Sequence, residues 1–297
     1  MDSTPRRVEH QHTDKGHVPV YTTAIVTQPW DSYSSDDHAT WGTLYRRQRA
    51  LLVGRACQEF LDAQDAMGMD AAHIPRFDQL NRILQAATGW TLIGVEGLLP
   101  ELDFFEHLAN RRFPVTWWIR RPEQIDYIAE PDLFHDLFGH VPLLMDARFA
   151  DYMQAYGAGG VRAAQQFGEQ ALQHLTRLYW YTVEFGLINT ADGLRIYGAG
   201  IVSSAGESRH SLESAAPNRI GFGLERIMCT RYRIDTFQKT YFVIDSFDAL
   251  MAATAADFAP VYARLEQAPA IAAGDVLASD RVFQRGSGEG WSSEGDV

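Results

Sequence analysis

The sequence predicts a mainly α single-domain protein with a minor complement of short strands. Three observations predict it. Apolar residues recur at helical spacing in several windows, strand-like alternation is confined to short runs, and no internal repeat or low-complexity linker divides the 297 residues. Hydrophobic content of 46% and aromatic content of 12% are enough for one large core and exclude a disordered chain.

The elements follow in chain order. A polar arm over residues 1–32, with His10, His12 and His17, is expected to be loosely held. The cap-like SSDD (34–37) then opens a helix on which Trp41, Leu44, Tyr45, Leu51 and Leu52 share helical spacing. A second helix carries Cys57, Phe60 and Leu61. A third, over 76–87, places Phe77, Leu80, Ile83 and Leu84 on one face and stops at Gly89. TLIGV (91–95) and VTWWI (115–119) read as strands, separated by a proline-initiated helix through Phe104, Phe105 and Leu108. PDLFHDLFGHVPLL (131–144) and LYWYTVEFGLI (178–188) are helical. RIYGAGIVSS (195–204) reads as a short hairpin lining a cavity or as an ordinary glycine-rich turn. KTYFVID (239–245) is a last strand and FAPVYARLEQ (258–267) a terminal helix. The domain therefore spans 33–268, and 269–297 is a Gly/Ser/Asp-rich tail expected to be loosely ordered.

A formal charge of −12 argues against nucleic acid or an anionic membrane surface as partner, since either asks for a basic face. Two cysteines, Cys57 and Cys229, cannot make a disulfide framework and read as free thiols in a reducing compartment. The first 25 residues hold no apolar signal core, and no run is apolar for long enough to span a bilayer. The expected location is cytoplasmic.

Three residues sit where a core would want something apolar. Glu184 lies among Leu178, Tyr179, Trp180, Tyr181, Val183, Phe185 and Leu187, a helix apolar nearly all round. A buried carboxylate there needs a cation or a donor. His135 alone reads as well as a satisfied core histidine as a ligand. His140, between Gly139 and Pro142, sits at a helix stop. Residues five apart on an ideal helix are rotated by about 140°. An unwound helix end is therefore expected to bring His140 round to His135. Two imidazoles and one carboxylate are the ligand set of mononuclear non-heme Fe(II) oxygenases. Catalytic zinc stays open on the same set, although the HExxH helix that often supplies it is absent.

From about residue 33 to 267 the chain resembles the pterin-dependent aromatic amino acid hydroxylases. The resemblance rests on TGWTLIGVEGLLP, FFEHLANRRFPVTWWIR, EPDLFHDLFGHVPLL, RLYWYTVEFGL, RIYGAGIVSS and FQKTYFVIDSF, in the family's order. It implies a helical basket with short strands around one iron at the floor of a cleft. It implies that His135, His140 and Glu184 bind Fe(II), and that tetrahydrobiopterin lies along Val95, Gly97, Leu98 and Leu99 and stacks on Phe104. Asp136 and Tyr179 match positions bordering pterin and iron, and many animal members have Glu in place of Asp136. Phe104 reads equally as plain core from the residues alone.

For the substrate, the resemblance implies that Arg120 takes the α-carboxylate through two charge-assisted hydrogen bonds. Arg121 beside it reads as a solvated charge. Ser203 matches a serine near that carboxylate and the metal ligands, while Pro131, Trp180 and Phe185 match the walls around the aromatic ring. Ile128 departs from animal phenylalanine-specific members, which carry a substrate-contacting threonine. The implied reaction is hydroxylation of L-phenylalanine to L-tyrosine with O2 and a tetrahydropterin, the first step of phenylalanine catabolism. Tyrosine or tryptophan hydroxylation, a zinc hydrolase and a non-enzymatic helical binding protein are the alternatives. The regulatory domain and oligomerisation helix of animal members have no counterpart in these residues, so a monomer is expected.

Overall fold

The computed structural model describes residues 21–126, 128, 130–255 and 257–291. His10, His12 and His17 lie outside the described residues. Strand β1 (Ile25–Val26) precedes α1 (Ser35–Leu52), α2 (Gln58–Ala66) and α3 (Phe77–Ala87). The start of α1 is a reciprocal cap: the Ser34 hydroxyl accepts from the Asp37 N–H at 3.2 Å, and the Asp37 carboxylate accepts from the Ser34 N–H at 2.9 Å. Gly89 ends the third helix region at φ 76°, the left-handed conformation anticipated there.

Strand β2 (Thr91–Val95), helix α4 (Glu101–Ala109) and strand β3 (Arg112–Thr116) form a β–α–β crossover, with β2 parallel to β3 and β1 antiparallel on its other side. The third strand lies three residues earlier than the expected 115–119. Its register explains the difference: Thr116 is already paired with Val95, the last residue of β2, so the ladder has no partner beyond it. Trp118 instead gives its indole N–H to the Glu96 carbonyl at 3.2 Å.

Helix α5 (Ala147–Gln166) packs along α4, and α6 (Glu169–Tyr179) follows. No element is predicted from the sequence over 147–166, which contains Gly157, Gly159 and Gly160. Gly157 and Gly160 are packing positions. A Cβ on Gly157 would lie 2.4 Å from the Ala109 nitrogen, and one on Gly160 would lie 2.1 Å from the Phe105 ring. Strands β4 (Leu187–Thr190) and β5 (Gly193–Ile196) make an antiparallel hairpin. The 195–204 segment is therefore the end of a hairpin followed by a helical turn, α7 (Ala199–Val202), then α8 (Ala205–Glu213). Strand β6 (Asn218–Gly221), α9 (Leu224–Met228), β7 (Thr240–Ile244), α10 (Phe247–Thr254), α11 (Ala259–Leu265) and β8 (Val282–Gln284) complete the chain, in a sheet ordered β5-β4-β7-β6-β8.

Both ends of the described chain are tied down, unlike the loose ends expected. Ile25 and Val26 pair with β2, and the Trp30 indole donates to the Ile74 carbonyl at 2.7 Å. At the other end β8 pairs with β6, and Asp280 is ion-paired to Arg226 at 3.0 Å. Cys57 and Cys229 are buried free thiols. Burial pushes Cys57 up to about 12, so its thiolate is absent at neutral pH.

The decisive local feature is a pair of widened turns. His135–His140 and Trp180–Glu184 are π-helical, the second continuing directly from α6. Their hydrogen bonds run five residues back: the Val141 N–H to the Asp136 carbonyl at 3.3 Å, and the Phe185 N–H to the Trp180 carbonyl at 2.9 Å. Single π-turns of this kind inside helices recur at functional sites. Helix α7 sits against both. A Cβ on Gly139 would come within 2.9 Å of the Ala199 carbonyl, and one on Gly198 within 2.4 Å of the Glu184 carbonyl, so these glycines permit the approach.

Candidate metal centre and active site

The expected unwinding at His140 does not occur. The turn widens instead, which sets residues five apart one above the other. The two Nε2 atoms of His135 and His140 come to 3.0 Å, and the rings meet edge to face at 83°. From the second π-turn, Glu184 Oε1 reaches His140 Nε2 at 3.0 Å and its Oε2 reaches His135 Nε2 at 3.6 Å. Ligands at roughly 2.1 Å on adjacent positions of an octahedral metal are separated by about 3 Å. The three donors fit one face of such an ion, with the opposite face left for exchangeable ligands.

Electrostatics favour the same reading. Burial raises the Glu184 carboxyl, but the His140 and His135 charges, the His140 hydrogen bond and the Gly200 N–H together bring it below its ordinary value. Glu184 is thus a carboxylate at neutral pH. Burial drives His135 down to about 4, against an opposing pull from Glu184, which leaves its imidazole neutral and ready to ligate. For His140 burial also lowers, yet Glu184 at hydrogen-bond distance and Asp136 outweigh it and raise the value. A metal therefore competes with a proton for His140 more strongly than it would at an ordinary imidazole. Metal affinity is expected to fall about tenfold per pH unit once the medium is more acid than that raised value. Metal titrations between pH 5.5 and 8 check this, and a flat affinity across that range would contradict it.

Asp136 is the competing carboxylate, since one of its oxygens lies within 4.8 Å of a ligating nitrogen of each histidine. Its Oδ2 is already accepting from the Thr116 N–H at 2.7 Å, and burial pushes its carboxyl up to about 7. A half-protonated, committed oxygen is the weaker ligand, so Glu184 is the carboxylate of choice. Ser203 fixes the histidine tautomer. Its hydroxyl donates to the Ala199 carbonyl at 2.7 Å and so accepts from His135 Nδ1 at 3.0 Å, leaving Nε2 as the lone-pair nitrogen. Ser203→Ala should loosen the bound metal by about tenfold to a hundredfold, measured by competition with a chelator.

A family model for biopterin-dependent aromatic amino acid hydroxylases matches residues 24–265. The chain belongs to this family. Among curated relatives, the phenylalanine-4-hydroxylase of Chromobacterium violaceum is 62% identical over 270 residues, 91% of this chain and 90% of the relative. That of Caulobacter vibrioides is 53% identical over 262 residues, 88% of each chain. The C. violaceum enzyme solved with iron and phenylalanine superposes on this hydroxylase with a TM-score of 0.83 at 61% identity, covering 87% of this chain and 93% of that one. A second structure of it, with iron(III) and 7,8-dihydrobiopterin, gives a TM-score of 0.83 at 61% identity and covers 87% and 92%.

Of the remaining expected site residues of this hydroxylase, Tyr179 and Phe104 lie beside His140, and Trp180 and Phe185 flank Glu184 in the chain. Tyr179 stacks on His140 at 6.2 Å and meets Phe104 edge to face at 5.7 Å. Val95 ends β2, and Gly97, Leu98 and Leu99 run from it to α4, with the Leu98 carbonyl accepting from the Thr22 N–H at 2.9 Å. Trp180 and Phe185 are in ring contact at 4.7 Å on either side of Glu184, and Pro131 is half-buried before the first π-turn. Arg121 is exposed, as a solvated charge should be.

Arg120 differs from the expectation in one respect. Its fork is occupied: Nε and Nη2 donate to the two Asp132 oxygens at 2.8 and 2.9 Å, and both side chains are buried. Only the other edge of the guanidinium, formed by Nη1 and Nη2, can meet a carboxylate. Asp132 is the functional residue that sequence reasoning missed. Its signal was local, because it stands three residues before His135 and its Oδ1 caps the His135 N–H at 3.0 Å.

Proposed function

We propose that the protein converts L-phenylalanine to L-tyrosine, using O2 and a tetrahydropterin at Fe(II) held by His135, His140 and Glu184. The observation that carries this reading is the convergence of those three donors, at separations suited to one octahedral face, in a chain of this family. Iron bound there supplies open coordination positions at which O2 is activated with electrons from the pterin.

The chain's own residues bind, orient and shield. Phe104 and Tyr179 offer ring faces to the flat pterin, and the backbone of Val95, Gly97, Leu98 and Leu99 lines its polar edge. Arg120, locked by Asp132, presents its free edge to the substrate α-carboxylate as a charge that cannot swing away. Pro131, Trp180 and Phe185 wall the aromatic ring, and Ser203 keeps His135 in its ligating tautomer. Asp136, with a carboxyl near neutrality, can hold a proton beside the ligands. The substrate is a small molecule, and the charge of −12 supports the absence of a nucleic-acid or membrane partner. No helix among the described residues is long and apolar enough to cross a membrane. The reading includes a cytoplasmic monomer, the compartment supported by the two free thiols.

The test is anaerobic reconstitution with Fe(II), then O2, tetrahydrobiopterin and equal phenylalanine, tyrosine and tryptophan, with products read by mass spectrometry. Tyrosine formed from labelled phenylalanine, only when iron and pterin are both present, is the expected result. No hydroxylated product, or preferential hydroxylation of tyrosine or tryptophan, would overturn the assignment.

A further inference from the structure

Helix α8 carries a group of buried polar residues that the proposed reaction leaves without a role. Glu207 is 5% exposed, an expensive place for a carboxyl, and burial pushes it up to about 7. Its Oε1 accepts from the Gln238 N–H at 3.1 Å and from the Tyr241 hydroxyl. One turn on, His210 stacks on Phe237 at 4.8 Å and 24°. Gly206 allows that closeness, since a Cβ there would come within 2.8 Å of the Phe237 ring. Contacts from two successive turns of α8 thus grip the chain at residues 237–238.

What the gripped residue does next is informative. The Gln238 side chain is 3% exposed, and its Oε1 accepts the Trp180 indole N–H at 2.9 Å. Its Nε2 donates to the Arg233 carbonyl at 2.9 Å, which folds the 231–238 loop around it. From that loop Tyr232 stacks on the Trp180 ring at 4.4 Å and 22°. Trp180 is therefore held at its N–H and on one face, while Phe185 and Glu184 follow it on the same π-turn. An indole N–H can only donate, so Gln238 Oε1 fixes the ring's rotation as well as its place.

We infer that Glu207 and Gln238 are positioning residues for the aromatic-ring pocket: Glu207 clamps the Gln238 backbone, and Gln238 sets the tilt of Trp180 against the substrate ring. This rests on the proposed function, which makes Trp180 a wall of that pocket. The network explains why a carboxyl is kept in a buried position two shells away from the metal, where an apolar residue would be cheaper. A misplaced wall changes how the substrate ring is presented while leaving metal and pterin in place.

The experiment compares the parent with Glu207→Leu, Gln238→Leu, Trp180→Phe and the Gln238→Leu/Trp180→Phe pair, all iron-loaded. Readouts are the phenylalanine KM, the tyrosine formed per pterin oxidised, and hydrogen exchange of the Trp180 indole N–H by NMR. Glu207→Leu, which removes the acceptor, and Gln238→Leu are expected to raise KM by about five- to tenfold, lower the tyrosine yield per pterin, and speed indole exchange. Gln238→Leu should add little to Trp180→Phe, because both remove one bond. Additive effects, or KM, yield and exchange all within twofold of the parent, would overturn the inference. Should Glu207→Leu fail to fold, the Gln238→Leu and Trp180→Phe cycle still decides. A parent that forms no tyrosine would instead overturn the proposed reaction, and indole exchange would then decide the positioning alone.

Discussion

Glu184→Gln is expected to lose iron and to cut tyrosine formation by about a thousandfold or more, roughly 4 kcal/mol of activation free energy. The substitution keeps shape and removes charge. Two neutral imidazoles and an amide leave a divalent ion without its one anionic ligand, in a site where burial magnifies that deficit. Folding should survive, because the amide oxygen can still accept from the Gly200 N–H. Metal content after desalting, alongside turnover, checks the expectation. Asp136→Asn serves as the comparison, since its carboxyl is the other one near both histidines. It should retain stoichiometric iron. A Glu184→Gln protein that keeps its iron while Asp136→Asn loses it would transfer the ligand role to Asp136.

Asp132→Asn is the second large effect, and it acts on stability as well as substrate binding. Arg120 is 6% exposed and Asp132 is 0% exposed, so removing the carboxylate strands a guanidinium in the interior. Breaking a buried pair in this way costs about 3–5 kcal/mol. Denaturant midpoints measure it, and a loss under about 1 kcal/mol would mean that solvent reaches Arg120 more freely than its burial indicates. Burial raises the Asp132 carboxyl, but hydrogen bonds and charge from Arg120 hold it net below its ordinary value. The sign follows: its stabilisation is complete above the ordinary carboxylate range and is lost as pH falls through the depressed value. Phenylalanine affinity should fall with it, because the edge of Arg120 offered to substrate is aimed by the edge bound to Asp132.

The parts of the fold legible in the sequence were those written in local chemistry. The capped start of α1, the turn at Gly89 and the alternation of β2 depend on residues within a few positions of one another. Glu184 was legible as a candidate for a related reason: a lone carboxylate in an apolar helix announces itself by cost. What escaped was long-range. Helix α5 is not among the predicted elements, and its glycines Gly157 and Gly160 have their reason only in the fold, where Phe105 and Leu108 of α4 come down upon them. The end of β3 depends on where β2 stops. Asp132 was hidden because its partner Arg120 lies twelve residues earlier and joins it only after the chain turns back.

The widened turns also alter how chain length bears on chemistry. An α-helix would send residues 135 and 140 about 140° apart, whereas the π-turn aligns them. The register of the backbone is thus part of the coordination sphere. Gain of a single residue between His135 and His140 would set them six apart, about 120° off one face of an ordinary helix, and would turn one imidazole away from its partner without touching a ligand. An insertion in this short stretch is therefore as consequential as substitution of the histidines themselves. A helical pair of histidines with four residues between them is, in other chains too, a sign that the backbone opens at that place.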